Sequence, residues 1–431
     1  MDGYYAFMLV ATALVLMMTV PALALFYGGM SRSKSVLNMM MMSYIAAAIV
    51  GILYVAIGWS MGWSGDGVFF ADPFALAWLD GVEPTFFIGV MFQLTFAVIT
   101  VALISGAVAD RMKFSAWVLF VPVWAVLVYF PMAHMVFSCS DSALICSKIG
   151  AQDYAGGTAV HINAGVAGLV LVLLLGKRLG FGKDPMRPHN LTLTMLGAGL
   201  LWFGWYGFNV GSIVIGYDPT DPNSFELERF VSETGRTFTN TTLATMAAII
   251  GWLIVERVLH GKATSLGAAS GIVAGLVAIT PACGAVDLSG AVAIGFIAGA
   301  VCAWAVGLKF KLGYDDSLDV VGVHLVGGVI GTVLIGLFST SDGAGGIDGL
   351  FYGGGWGSLG DQTLGALVAI GYSGVLTLII GLAIKFTIGL RLDEDDEVGG
   401  IDLAAHGESA YDLHSGVGSG SGLLSSEGVK A

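Results

Sequence analysis

Runs of about twenty consecutive apolar residues, the length an α-helix needs to cross the hydrocarbon core of a bilayer, recur along nearly the whole of this 431-residue chain. No other feature restricts its fold as strongly. Dividing the runs at their polar interruptions predicts spans near 5–28, 37–62, 84–107, 114–136, 155–175, 190–212, 237–258, 265–281, 288–308, 318–338 and 361–388, eleven crossings in all. Only 11% of residues are charged, against roughly 25% in soluble domains, and no stretch remains for a separate soluble domain. The reading is an all-α integral membrane domain over 1–390 and a tail over 391–431. Beyond about residue 411 the Ser/Gly-rich HSGVGSGSGLLSSEG has the composition of a flexible segment. The N-terminus lacks a basic leader and its apolar run exceeds a signal-peptide core, so it is kept as the first helix.

Assigning loops alternately puts 15 of the 18 Lys and Arg on one side, against Lys148, Arg229 and Arg236 on the other. Positive charge is retained in the cytoplasm, which predicts the N-terminus outside and the C-terminus inside. The net charge of −13 is concentrated partly in Asp393–Glu397 and implies no partner. The 64 glycines suit helices whose backbones approach closely through small faces. Cys283 and Cys302 read as small apolar residues; Cys139 and Cys146 flank CSDSALIC on the outer side, where a disulfide persists if formed. The sequence leaves that pairing open.

An odd number of spans suits two inverted five-helix repeats plus one extra helix. Internal similarity agrees: His161 opens HINAGVAGLV and His324 opens HLVGGVIGTV, with His, Gly, Val, Gly and Val at identical offsets. Each histidine follows an aspartate by eight residues, Asp153 and Asp316. Ionisable residues inside spans usually face a bundle interior or a water-filled path. A neutral imidazole carries one donor and one acceptor, so two neighbouring rings either brace the helices or line a pore that relays protons. Two aromatic segments accompany them: Phe92, Gln93 and Phe96 in the third span, and Trp205, Phe208 and Ser212 in the sixth. Aromatic faces attract cations that have lost water, and apolar constrictions exclude water. Asp153 either caps the fifth helix or draws cations to its end, and the two roles are compatible.

DYAGGTAVHINAGVAGLV, GVMFQLTFAVITVALISGAVADRM, GWYGFNVGS and DDSLDVVGVHLVGG, with ALFYGGMSRSKSVLNM and TPACG, closely resemble the ammonium transporter (Amt) branch of the Amt/Rh family, from about residue 5 to 411. The resemblance implies a homotrimer in the cytoplasmic membrane with a pore in each subunit. It implies a gate of Phe96 and Phe208, pore histidines His161 and His324, and a recruitment site of Phe96, Phe137 and Ser212 near Asp153. Phe92, Gln93 and Trp205 are additional pore or vestibule candidates. Position 137 departs from the family, which carries Trp there; Phe137 keeps a π face without the indole N–H. The tail segment GIDLAAHGESAY also matches, and in many relatives this face receives a trimeric PII signalling protein. No cofactor or metal is implied.

Ammonium and potassium share size and charge, so selectivity requires chemistry: ammonium donates hydrogen bonds and can lose a proton. The expected mechanism is recruitment at the outer aromatic site, deprotonation, and passage of ammonia along the two histidines with proton co-transfer. Three alternatives compete: an ammonium sensor, an Rh-type channel for neutral gas, and a membrane enzyme using the histidines as ligands or bases. No HExxH motif, nucleophile constellation or cysteine cluster supports the enzyme.

Overall fold

The computed structural model describes residues 2–184, 186–213 and 226–411; the stretch expected to be flexible beyond 411 lies outside them. The described residues form helices and no β-strand. Eleven apolar helices dominate: α1 (Gly3–Met30), α2 (Val36–Trp63), α3 (Pro84–Val108), α4 (Phe114–Ser138), α5 (Gly157–Leu175), α6 (Leu191–Val210), α7 (Leu227–His260), α8 (Ser265–Ile279), α9 (Leu288–Leu312), α10 (Val321–Phe338) and α11 (Gly357–Thr387).

Ten of these are long and apolar enough to cross a membrane, and α8 is the exception. The sequence predicts a crossing over 265–281, but the helix ends at Ile279. Its 15 residues rise roughly 22 Å of the ~30 Å core, and the buried stretch over 280–286 continues its path, so it remains the eleventh apolar segment. Thr280 still has helical φ/ψ of −50° and −50°, and the helix stops there because Pro281 has no N–H to donate the next helical hydrogen bond. In the other direction, α7 begins ten residues before the apolar window at 237, since its first turns carry Glu228, Arg229, Glu233 and Arg236. Hydropathy detects the lipid-facing part of a helix and misses a polar extension.

Small residues set the spacing. A Cβ on Gly275 of α8 would stand 2.6 Å from the Ala248 side chain and 2.8 Å from the Thr245 backbone of α7, so only glycine admits this approach. Gly295 and Gly299 bring α9 against the same face of α7 at Ala244 and Ala248.

A buried knot of charge joins the ends of α3, α5 and α10. Arg178 holds Asp315 through Nη2 at 2.6 Å and Nε at 2.9 Å, with side chains 8% and 0% exposed. Arg111 donates to Ser317 Oγ at 2.6 Å, to Gly176 O at 3.0 Å and to the Asp315 carbonyl. Burial would raise the Asp315 pKa, but the Arg178 hydrogen bonds outweigh it and hold the carboxyl below its ordinary range.

The tail lies across this same face. The Asp402 carboxylate accepts the N–H groups of Asn38 at 2.8 Å and Leu37 at 3.1 Å, capping α2. Glu397 accepts the Leu179 N–H at 2.8 Å and pairs with Arg391 at 2.7 Å. His406 approaches Asn38 Oδ1 at 3.1 Å and meets Phe114 edge-on. The N-terminal helix instead touches the opposite face, where the Tyr5 hydroxyl donates to Thr85 O at 2.7 Å.

Candidate functional site

The two histidines are placed by the same local device used twice. Asp153 Oδ1 accepts from Gly156 and Gly157 N–H, both at 2.7 Å, and Oδ2 from Thr158 at 2.7 Å and Ala159 at 3.2 Å. Asp316 accepts from Val320 at 3.1 Å and Val321 at 2.7 Å. In each case the third residue after the aspartate is left-handed, Gly156 at φ +117° and Asp319 at φ +65°. A widened π turn then begins each helix, Gly157–Ile162 and Val321–Leu325, and contains the histidine.

The helices cross at matching glycines four residues past each histidine. A Cβ on Gly165 would lie 2.5 Å from Leu325 N and 2.7 Å from its Cα, and one on Gly328 would lie 3.1 Å from His161 Cβ and Ile162 Cγ1. Leu325 follows His324 as Ile162 follows His161, so the crossing repeats about a two-fold relation, as the inverted repeat requires.

This crossing brings His161 Nδ1 to 3.2 Å from His324 Nδ1, with rings 5.3 Å apart and 22° from parallel. Both residues are buried. Two facing Nδ1 atoms share one proton when one ring donates and the other accepts. The outward Nε2 atoms then differ: the ring that donates through Nδ1 offers a lone pair, and the other offers N–H. When the lone-pair Nε2 takes up a proton, the shared proton moves across and the other Nε2 releases one; both ends are then reversed and one proton has crossed the pair. His161 Nε2 is buried without a hydrogen-bond partner.

Aromatic side chains wall the pair. Trp205 stacks on His161 at 5.5 Å and 24°, and Phe208 lies 6.3 Å from it. Phe208 in turn stacks on Phe96 at 4.0 Å and 11°, leaving no passage between them. The space beside the histidines, lined by Leu23, Phe26, Leu103, Trp205 and Phe208, measures only about 10 Å³, roughly one water-sized probe.

A larger cavity opens on either side of this constriction. The one beyond Phe96, about 470 Å³, is lined by Gln93, Phe96, Phe137, Asp153, Ser212 and Glu233 among others. Phe137 meets Phe96 edge to face at 6.3 Å. The Ser212 hydroxyl donates to Phe208 O at 2.8 Å, leaving lone pairs to accept from a ligand. Asp153 lines this cavity with both oxygens engaged by backbone N–H groups, so any pull on a cation acts through its charge. The opposite cavity, about 390 Å³, is lined by Arg32, Arg178, Lys183, Lys309 and Asp319.

The structure thus gathers Phe96, Phe137, Ser212, Gln93 and Asp153 at one mouth and Phe208, Trp205, His161 and His324 along the constriction. Phe92 packs against Phe96, with ring centroids 4.9 Å apart. Cys139 and Cys146, left open by the sequence, are joined by a disulfide with Cα atoms 5.2 Å apart, and both line the larger cavity. Sequence reasoning missed Glu233 there, which accepts from the Tyr154 hydroxyl at 2.8 Å and from Arg229 Nε at 3.2 Å. The i, i+4 spacing of Arg229 and Glu233 was the available signal. It also missed His134, whose Nδ1 and Nε2 lie 2.8 Å from Gly62 O and Gly67 O and tie α4 to the end of α2 and the loop after it.

Comparison with known proteins follows this geometry. A family model described as Ammonium Transporter Family matches residues 6–411. The chain is 53% identical over 458 aligned positions to an ammonium transporter of Mycobacterium tuberculosis, covering 98% of this chain and 92% of that protein. It is 46% identical to an ammonium transporter of Aquifex aeolicus, covering 95% and 94%. Among solved structures it superposes on a protein titled Sensor Amt Protein with a TM-score of 0.83 at 26% identity, covering 94% and 98%. It superposes on Mep2 of Saccharomyces cerevisiae with a TM-score of 0.80 at 32% identity, covering 91% and 88%.

Proposed function

The chain belongs to the Ammonium Transporter Family, and from that premise we propose that it carries ammonium by stripping its water and its proton at a closed aromatic gate and passing ammonia along His161 and His324. That family consists of transporters rather than enzymes, and the chain is a multi-pass membrane protein that transports ammonium.

The observation that carries the finer reading is the histidine pair, 3.2 Å apart at Nδ1, in a narrow passage of about 10 Å³ between cavities of about 470 and 390 Å³. An ammonium ion reaching the larger cavity meets the faces of Phe96 and Phe137 and the lone pairs of Ser212, which replace lost water. Entering the constriction as a cation carries a desolvation cost that no fixed charge there offsets. Ammonia enters without that cost, and the exposed lone pair of one Nε2 accepts its N–H. The proton given up by ammonium crosses separately: it is taken up at the lone-pair Nε2, the shared Nδ1 proton shifts to the other ring, and that ring's Nε2 releases a proton to the far cavity, which makes transport electrogenic. Potassium has no proton to give and is refused.

The Lys and Arg asymmetry supports placing the Asp153 mouth outside and the tail in the cytoplasm. On the same reading, residues 1–390 form the membrane domain and 391–431 a cytoplasmic tail. Family resemblance supports a homotrimer with one pore per subunit and a cytoplasmic PII-type regulatory partner.

The test is His161→Leu and His324→Leu in proteoliposomes. Each variant is expected to lose ammonium-driven current or to admit potassium. Wild-type current and selectivity in both would remove the histidines from the mechanism.

A further inference from the structure

The segment that ends α8, Thr280-Pro281-Ala282-Cys283-Gly284, has no part in the mechanism above, yet it touches both helices that build the constriction. Thr280 is fully buried. Its hydroxyl lies 2.7 Å from Leu276 O, accepts the Trp205 indole N–H at 2.8 Å, and lies 3.3 Å from Asn209 Oδ1. A threonine hydroxyl has one proton and two lone pairs. The shorter contact with Leu276 takes the proton, so the oxygen faces Trp205 as an acceptor.

That indole N–H is the single polar group of Trp205, on a residue only 2% exposed, and its ring lies against His161. On the other side, Pro281 O accepts the Tyr154 N–H at 3.1 Å. The Pro281 ring also seats against Gly157 at the start of α5, where a side chain would overlap it. Asn240 clamps the turn that follows, donating to Cys283 O at 2.8 Å and Val286 O at 2.9 Å. The break in α8 is therefore braced on all sides, and Thr280 is the group it presents to the pore wall.

We propose that Thr280 is a positioning residue for selectivity: its hydroxyl holds the Trp205 indole flat against His161 and keeps the N–H turned away from the pore. The proposal rests on the transport mechanism above. Without the hydroxyl, the buried N–H turns toward His161 Nε2, which is itself unpartnered, or toward water drawn into the passage. Either change gives the constriction a polar group that it excludes in the native protein.

Thr280→Val keeps the shape and removes the hydroxyl, and Thr280→Ser restores it. The transport readout is the ratio of ammonium to potassium current in proteoliposomes, with the detection limit used where potassium gives no current. The second readout, ultraviolet resonance Raman of the indole N–H taken as a difference against Trp205→Phe, needs no transport. Thr280→Val is expected to lower the ratio about ten-fold, the factor corresponding to one unmade buried hydrogen bond, and to move the indole band to its unbonded position. Thr280→Ser is expected to keep both near wild type. An unchanged ratio in Thr280→Val, or equal losses in the Val and Ser variants, would overturn the proposal. If Thr280→Val does not fold, Thr280→Val with Trp205→Phe removes the stranded N–H; it is expected to match Trp205→Phe alone, and a further loss of selectivity would overturn it. A wild-type protein that passes potassium as readily as ammonium would overturn the transport mechanism instead, with the Raman comparison still deciding whether Thr280 holds the indole.

Discussion

Phe137 stands where the family resemblance implies a tryptophan, and its place beside Phe96 and Ser212 makes that difference testable. Tryptophan attracts cations more strongly than phenylalanine, and the whole contact is worth about 0.5–1 kcal/mol at an open site, which bounds the difference. Phe137→Trp is therefore expected to lower the KM for ammonium by less than about five-fold and to leave the maximal rate unchanged. A changed maximal rate with an unchanged KM would place Phe137 outside recruitment. At the helix crossing, Gly165 and Gly328 have different clearances. Gly165→Ala drives a methyl into the Leu325 backbone and is expected to cost about 1–3 kcal/mol, read as a lower temperature of thermal inactivation together with lost current. Gly328→Ala is expected to be milder, and the reverse order would contradict the crossing geometry. These residues were legible in the sequence, because histidine and glycine recur at fixed offsets in both segments. Glu233 was not, since it lies on a polar extension that hydropathy assigns to a loop.

Among the elements, α5 and α10 depend on their aspartates and on the knot at Asp315. Removing the two carboxylate oxygens that accept four backbone N–H groups, with Asp153→Ala, is expected to destabilise the protein by about 2 kcal/mol, at the upper end for a helix cap. Asp315→Asn breaks a buried pair and leaves Arg178 uncompensated, with an expected loss of about 3 kcal/mol. The sign with pH follows from the lowered Asp315 pKa. The pair stabilises fully above the ordinary aspartate value of about 4 and is lost as pH falls through the lower folded value. Thermal stability of the wild type is thus expected to fall toward that of Asp315→Asn in strong acid, and a constant difference would remove the pair from the account. The sequence located nearly every helix here, because apolar length is itself the physical requirement for crossing. It overextended α8, where Pro281 ends the helix inside an apolar run, and it shortened α7, whose first turns are polar.

At the scale of the whole molecule, two cavities of comparable size, about 470 and 390 Å³, face each other across a narrow segment of about 10 Å³. The repeated Asp, left-handed residue, π turn and histidine account for that symmetry, since each half brings its histidine to the middle from the opposite face. Such an arrangement was partly legible: the matching segments announce a repeat, whereas the disulfide pairing and the bracing of α8 by Asn240 depend on side chains that meet only after folding. The central claim is that ammonium crosses with net charge and potassium does not. The direct test is the transient current of purified protein in liposomes on a solid support, pulsed with ammonium and then with an equal concentration of potassium. The account predicts current with ammonium and none with potassium; silence with ammonium while internal pH still changes, or equal currents from both ions, would contradict it.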